Sequence, residues 1–457
     1  MEDIPKLRIK IKGFRAINSA DIVLNGITVV AGINGSGKST ISKLLYHTIK
    51  NTLDFEKVIK ENLITELKNI RHFLEELSHE VDSFQRENID YKKKIEKEEY
   101  DLRYKIHRLF YFNVESDLKE QEDKILSIID ELTKSFEKLP IDFKNGKRYK
   151  VRLYRLERFF KEEFFEREKN IENSDISVLL NNLKEELKNR FQKAYKDIEN
   201  RPIEILDNRI EQCFTEEVSV NNYSIEELGA PITNRKEKKL SNFLTINKVA
   251  YIDTPMVVGI DSLNCPNVPH WEDLDALLKN KGENLNKKRK ISNILKNEII
   301  NGESKYDNKN EMLVYNRSDG FSNDLFSCAT GLKSFSLLQI LYNNGFLDSK
   351  TLLILDEPES HLHPEWIVQY ARLIVMLNKD LKVNFIIGSH NPDMLMALKY
   401  ISKKEFSSKN NPINFYYAKE IENFKFDYRC LETEIEPIFK SFNSALDKIN
   451  QFGETEE

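Results

Sequence analysis

The chain is 457 residues long, carries a formal net charge of −5 and is 32% charged and 40% hydrophobic. That length accommodates roughly three domains and a large core, and the nearly balanced charge excludes a globally nucleic-acid-binding surface, leaving only local patches for such contacts. The four cysteines (Cys213, Cys265, Cys328, Cys430) show no C-x-x-C spacing, no basic-then-apolar leader opens the chain and no window reaches the ~18 apolar residues of a membrane helix, so the expectation is a cytoplasmic protein with no zinc site, no disulfide framework and no membrane contact.

Residues 6–30 alternate, with Leu7, Ile9 and Ile11 on one face and Arg8, Lys10 and Lys12 on the other. Short strands are predicted here and at Asp21–Leu24 and Ile27–Ala31, with a turn at Gly13. Arg15 in that turn reads equally as a nucleotide contact or a surface arginine. The last strand runs into Gly32-Ile33-Asn34-Gly35-Ser36-Gly37-Lys38-Ser39-Thr40, a G-x-x-x-x-G-K-[ST] loop (Walker A), and then a helix over 39–49. Glycines at 32, 35 and 37 let backbone N–H groups curl around phosphate oxygens. Lys38 is the point charge for β- and γ-phosphates, and the Ser39 hydroxyl is a Mg²⁺ ligand. The following helix aims its positive end at the anion. ATP with Mg²⁺ is the cofactor set this pattern implies.

From about residue 51 to 228 the composition shifts. Glycine occurs only at 146 and proline only at 140 and 202. Leu63, Leu67, Ile70, Leu74, Leu77, Val81 and Phe84 recur at three- and four-residue steps, as do Ile125, Ile128, Ile129, Leu132, Phe136 and Leu179, Leu180, Leu183, Leu187. These are helical stripes. The imperfect register and the aromatics Phe159, Phe160, Phe164 and Phe165 point to a helical bundle or hairpin, partly coiled-coil-like, rather than a rod. Pro140 to Gly146 reads as the turn that doubles it back. The cluster Lys144, Lys147, Arg148, Lys150, Arg152, Arg155, Arg158 is either a phosphate-binding patch or a solvated basic face.

Ile203-Glu204-Ile205, Val218-Ser219-Val220 and 246–252 read as strands, the last ending at the turn Asp253-Thr254-Pro255. Residues 272–312 show no core pattern, and 301–310 reads as a loop. Ser327-Cys328-Ala329-Thr330-Gly331-Leu332-Lys333-Ser334 forms a small-polar loop before a helix over 335–343, a second anion cradle. The first cradle already holds the phosphates, so the second is useful against a neighbouring subunit's ATP. Thr351–Leu355 is an apolar run ending in Asp356 and Glu357, which reads as a buried parallel strand. Asp356 is placed to hold Mg²⁺ and Glu357 to polarise the attacking water. Another strand, 383–388, ends at Ser389-His390, where the histidine is a candidate partner for γ-phosphate or water. A helix to about Lys399 follows, and Leu431, Ile435, Ile438, Phe439, Phe442, Leu446 and Ile449 mark an amphipathic helix in the tail.

Taken together, phosphate loop, signature-like loop, Asp356-Glu357-Pro358-Glu359 and Ser389-His390 resemble an ABC-type ATPase head. Among these the chain is similar to the overcoming-lysogenization-defect, SMC/RecF-like group. Leu355 to Trp366 and Gly331-Leu332-Lys333-Ser334-Phe335 look like the stand-alone ATPases of the antiphage systems PARIS and Septu; Tyr251–Pro255 matches the region where transporters carry a Q-loop. The resemblance implies a mixed α/β head with an antiparallel subsheet, interrupted by a helical insertion: head segments 1–50 and 229–457, insertion 51–228. It implies head-to-head dimers or higher homo-oligomers with ATP at the interface. Gly32, Lys38, Ser39, Asp356, Glu357 and His390 act from one subunit, and Thr330, Gly331 and Lys333 from the other. The usual signature serine is Ala329 here, and no glutamine follows Asp253-Thr254. His361 and His363 fall where a subunit-contacting loop would lie, serving packing or interface hydrogen bonds in preference to zinc. The related nucleases carry a C-terminal TOPRIM domain, for which this chain shows no second acidic cluster; a nuclease or toxin effector is therefore expected as a separate protein, with a phage protein as trigger. The alternatives are a RecF/SMC-like DNA repair or maintenance ATPase that clamps DNA, a transporter ATPase, and an ATP-locked scaffold with negligible turnover.

Overall fold

The computed structural model describes residues 6–85, 116–137, 150–151, 154, 158, 176–214, 222–258, 268–280, 289–407, 410–439 and 450. The chain divides into two compact units, residues 54–201 and residues 1–53 with 202–457.

The second of these is built on a ten-stranded sheet. Its strands in chain order are β1 (Leu7–Phe14), β2 (Ile17–Leu24), β3 (Ile27–Ala31), β4 (Tyr223–Glu227), β5 (Ala230–Pro231), β8 (Lys248–Ile252), β12 (Thr351–Asp356), β13 (Asn384–Ser389), β14 (Ile413–Glu422) and β15 (Lys425–Glu432). Two further sheets hold β6 (Thr233–Asn234) with β7 (Lys239–Leu240), and β9 (Gly302–Asp307) with β10 (Met312–Arg317) and β11 (Ser322–Asp324). The large sheet runs in the order β5-β4-β1-β2-β15-β14-β3-β13-β12-β8. Its half from β14 to β8 is parallel, and the β5-β4-β1-β2 half is antiparallel. The two halves follow the two sequence patterns. In β1, residues alternate buried and partly exposed, whereas β3, β12 and β13 are buried at every position, as a parallel strand covered on both faces must be.

Helices α1 (Lys38–Leu53), α5 (Ile203–Phe214), α6 (Pro269–Lys279), α7 (Arg289–Asn293), α8 (Thr330–Asn343), α9 (Pro364–Leu381) and α10 (Pro392–Glu405) belong to the same unit. A continuous core of Val29, Leu353, Leu355, Phe385, Phe335, Leu338, Ile374 and Leu395 ties the parallel half to α8, α9 and α10. In the unit of residues 54–201, helices α2 (Phe55–Gln85), α3 (Leu118–Glu137) and α4 (Ile176–Asn200) bury the expected stripes, Leu67, Ile70 and Leu74, Ile125, Ile129 and Leu132, and Leu179, Leu183 and Leu187. Lys184 Nζ donates to Asp130 Oδ1 at 2.5 Å, and Tyr195 Oη to Glu122 Oε2 at 3.0 Å.

Several expectations are corrected. Ile203–Ile205 opens helix α5 and is not a strand. Glu204 lies in its first turn, and Ile203, Leu206, Ile210 and Phe214 form one buried stripe. Three residues of alternation were too short to separate period 2 from period 3.6. The patternless stretch 272–312 contains α6, α7, a π-helical turn over Ile294–Ile299 and strand β9 across the expected loop. Its buried apolar residues, Leu274, Leu278, Ile291, Ile294, Leu295 and Ile300, are divided among short elements, and in β9 the inward Ser304 is fully buried with its N–H donating to Gln339 Oε1 (2.6 Å) and its hydroxyl to Ser336 Oγ (2.7 Å). Leu431 belongs to β15, while residues 436–439, with Ile438 and Phe439 of the expected stripe, are helical; Ile435 and Ile438 are buried, and Phe442, Leu446 and Ile449 lie outside the described residues. So do Val218–Val220, Pro140–Gly146, the four aromatics from Phe159 to Phe165 and all of the basic cluster except the exposed Lys150 and Arg158. No helix among the described residues is long and apolar enough to cross a membrane.

Candidate nucleotide site

Strand register brings the distant motifs together. Ser389 pairs with Ala31, and Gly388 pairs with both Val30 and Asp356. The carboxyl ends of β3, β13 and β12 therefore lie side by side. Asp253 follows β8 at the same edge, since Ile252 pairs with Leu355. In an open parallel sheet this edge is where ligands bind, because the loops and helix N-termini gather there.

The phosphate loop leaves β3 and enters α1 at Lys38. Gly37 sits at φ +100°, and a Cβ there would come within 2.8 Å of Ile17; only glycine meets both demands. Lys38 is buried, and its Nζ donates to Gly32 O at 2.9 Å and Ile33 O at 3.0 Å. Desolvation draws its pKa down, against the opposing pull of Glu357, Asp356 and Glu359. The Tyr428 hydroxyl, on β15, donates to the buried Ser36 carbonyl at 2.9 Å and pins the loop from below.

Asp356 is buried at the end of β12. It accepts hydrogen bonds from Ser39 and, at 3.2 Å, from the Tyr251 hydroxyl. Burial raises its pKa, with Glu357 adding to the rise while Ser39, Tyr251 and Lys38 oppose it. Glu357 adopts φ +46°, and its N–H donates to Gly388 O at 2.7 Å. That left-handed turn is rare for a side chain larger than glycine; it swings the carboxylate from the strand toward His390, whose Nδ1 lies 3.0 Å from Glu357 Oε1. An ionised carboxylate only accepts, so Nδ1 carries the proton. Both side chains are more than a third exposed.

The residues present fit a nucleotide with a divalent cation. Ser36 Oγ and Asp356 Oδ1 are buried without a hydrogen-bond partner. A Cβ at Gly32 would fall 2.7 Å from Ser36 Oγ, so the cradle is kept open by the missing side chain. Two orphaned oxygens, a coiled-back lysine and the backbone N–H groups of residues 34–38 are the donor and acceptor set that phosphate and Mg²⁺ require.

The second cradle is a helix start. Thr330 and Gly331 open α8, and Lys333 lies in its first turn, where the sequence pattern placed a loop. Gly331 faces Trp366 at 3.0 Å from an added Cβ, and the buried Lys333 places its ammonium 5.0 Å from the Phe326 ring centroid. These three residues thus sit on a different element from the phosphate loop. The Arg15 guanidinium donates to Phe214 O at 2.9 Å and stacks on the Phe214 ring at 4.9 Å. His363 caps α9, its Nδ1 accepting from Glu365 N at 3.4 Å, and His361 adopts φ +68°. No cluster of three metal-ligating side chains occurs among the described residues.

Three residues at the site carried no sequence signal of their own role: Tyr251, Tyr428 and Glu359. Tyr251 and Tyr428 are ordinary strand aromatics in the pattern. Glu359 stood in view inside the acidic motif without a function attached.

Phosphate loop, acidic strand and intervening β13 define a P-loop nucleotide-binding α/β fold in which the loop strand and the acidic strand are separated by one strand. A family model described as an AAA ATPase domain matches residues 7–395, and the chain belongs to that family. No curated protein matches it. Among solved structures it is similar to the Smc head domain with an extended coiled coil bound to the C-terminal domain of ScpA from Pyrococcus furiosus (11% identity, 97% of this chain and 98% of that one, TM-score 0.32). It is also similar to the Smc head bound to the C-winged helix domain of ScpA (10% identity, 95% and 100%, TM-score 0.38). The SMC head domain of Thermotoga maritima matches over 32% of this chain and 52% of that one (17% identity, TM-score 0.21).

Proposed function

We propose that the protein hydrolyses ATP with Mg²⁺ between two paired heads and uses that cycle as the sensor and scaffold of an antiphage system, restraining a separate nuclease or toxin effector until a phage protein triggers release. The observation that carries the ATPase reading is the convergence of Lys38, Asp356, Glu357 and His390 at one sheet edge from three adjacent parallel strands. Bound Mg·ATP supplies a polarised γ-phosphate. Around it, Lys38 exchanges two loop carbonyls for phosphate oxygens, and Ser39 and Asp356 hold the metal. Glu357 draws the proton from the attacking water, and His390 Nδ1 keeps that carboxylate oriented. The backbone amides at 34–40 (Asn34, Gly35, Ser36, Gly37, Lys38, Ser39, Thr40) neutralise charge without reorganising. Pairing of heads is supported by the position of Thr330, Gly331 and Lys333, on an element of their own at the start of α8, where the N-terminal turn suits an anion presented by a second copy.

The antiphage role rests on the resemblance of Leu355–Trp366 and Gly331–Phe335 to defence ATPases. Two measurements test the proposal. Light scattering with and without Mg·ATP should show nucleotide-dependent dimers, and phosphate release should be detectable. Plaque counts on a host carrying the native locus should rise when Lys38 is changed to alanine. Absence of Mg·ATP binding by calorimetry removes the ATPase reading; unchanged plaque counts remove the defence reading alone.

A further inference from the structure

Glu359 is 5% exposed, and the hydrolysis steps proposed above give it no part. It lies two residues past Glu357 on the turn that leaves β12. Its Oε1 accepts from the Ser389 hydroxyl at 2.6 Å and from the His390 backbone N–H at 3.3 Å. Ser389 Oγ in turn accepts from Asn391 N at 3.2 Å, and Asn391 Oδ1 caps α10 by accepting from Asp393 N (2.8 Å) and Met394 N (3.1 Å). The other carboxyl oxygen, Oε2, is buried with no hydrogen-bond partner. A buried carboxyl of this kind carries a substantial desolvation penalty. What the carboxyl does with its one satisfied oxygen is grip both sides of the peptide that presents His390.

Resting on the ATPase reading, we propose that Glu359 is a positioning residue: it clamps the Ser389–His390 segment so that His390 Nδ1 stays 3.0 Å from Glu357 Oε1, and it thereby couples the turn after β12 to the switch histidine. The turn is tightly wound. Ser360 N donates to Glu357 O at 2.9 Å, Leu362 N to Glu359 O at 3.0 Å, and Glu357 and His361 both take positive φ. A shift in the 357–363 turn therefore moves Glu359, and Glu359 moves the histidine. A second head docking on this turn has a mechanical route to the base without touching it.

The test is a double-mutant cycle in the full chain. Glu359→Ala should lower kcat on the order of 10²-fold, the effect of misplacing a group by about 1 Å, with the ATP Kd unchanged within 3-fold. Glu359→Gln, which keeps an oxygen acceptor, should retain most of kcat. In a His390→Ala background Glu359→Ala should add nothing, because the clamp has no histidine left to place. A merely structural role predicts additive losses, or loss of ATP binding, and either outcome overturns the proposal. Should the wild type bind ATP without turnover, the ATPase reading fails while the clamp is still measured: hydrogen exchange in Glu359→Ala should speed at residues 388–392 and stay unchanged at 32–40. Exchange unchanged at 388–392 would overturn the clamp.

Discussion

Replacement of Glu357 by glutamine isolates the charge on the assigned base. Gln is isosteric, and the φ of +46° at this position and the N–H···O bond to Gly388 at 2.7 Å are backbone features it keeps. Its amide oxygen still accepts from His390 Nδ1 across 3.0 Å. The fold should therefore hold, with stability within about 0.5 kcal/mol of wild type. What disappears is the basicity. Loss of a positioned general base slows proton transfer on the order of 10²- to 10⁴-fold, or about 3–5 kcal/mol of barrier. Single-turnover phosphate release should fall by that factor, calorimetry should still report Mg·ATP binding, and ATP-bound dimers should persist in light scattering. Turnover at the wild-type rate would refute the base assignment. Loss of binding would show instead that Glu357 holds the metal.

Three more outcomes follow from the geometry. Gly388→Ala places a Cβ 2.6 Å from Asp356 Oδ1; the overpacking should destabilise by about 1–3 kcal/mol and abolish Mg²⁺-dependent ATP binding, read by calorimetry with and without the metal. Tyr428→Phe strips the donor from the buried Ser36 carbonyl, leaving it unpaired at a cost of about 1–3 kcal/mol, visible as a lower melting temperature with weaker ATP binding. His47, on α1, is held down to about 4, first by burial and then by His270 and Lys43. Its folded pKa lies below the ordinary 6.5, so the unfolded chain takes up the proton first. The His47 contribution is fully present above pH 6.5 and is lost as pH falls from there to about 4, by about 3 kcal/mol in all. Denaturant titrations at pH 7.5 and 4.5 should differ by most of that amount in wild type and by less in His47→Gln.

The parts of the site that were legible in the sequence are those whose chemistry is local. Gly32 to Thr40 states its own backbone demands within nine residues. The run Thr351–Asp356 declares a strand buried on both faces, and the helical stripes of α2, α3 and α4 are readable because each repeats over several turns. Strand β9 was not legible, since its inward position Ser304 is polar and is made tolerable only by Gln339 and Ser336, more than thirty residues away. Helix α5 was hidden for a related reason: its stripe needs twelve residues to show, and its first three alternate like a strand.

By itself, then, the sequence determined which segment coils into the glycine-rich loop, which strand ends in the acids and where the long helical stripes run, because dihedral preference and apolar spacing act between near neighbours. The tertiary structure decided the rest. Register across β3, β13 and β12 set Ala31 beside Ser389 and Asp356 beside Gly388. The β14–β15 hairpin brought Tyr428 under the phosphate loop, and Glu359 reached Ser389 thirty positions on. Such contacts depend on how strands pair and which buried polar atom finds a partner, and neither is encoded within any single stretch of chain.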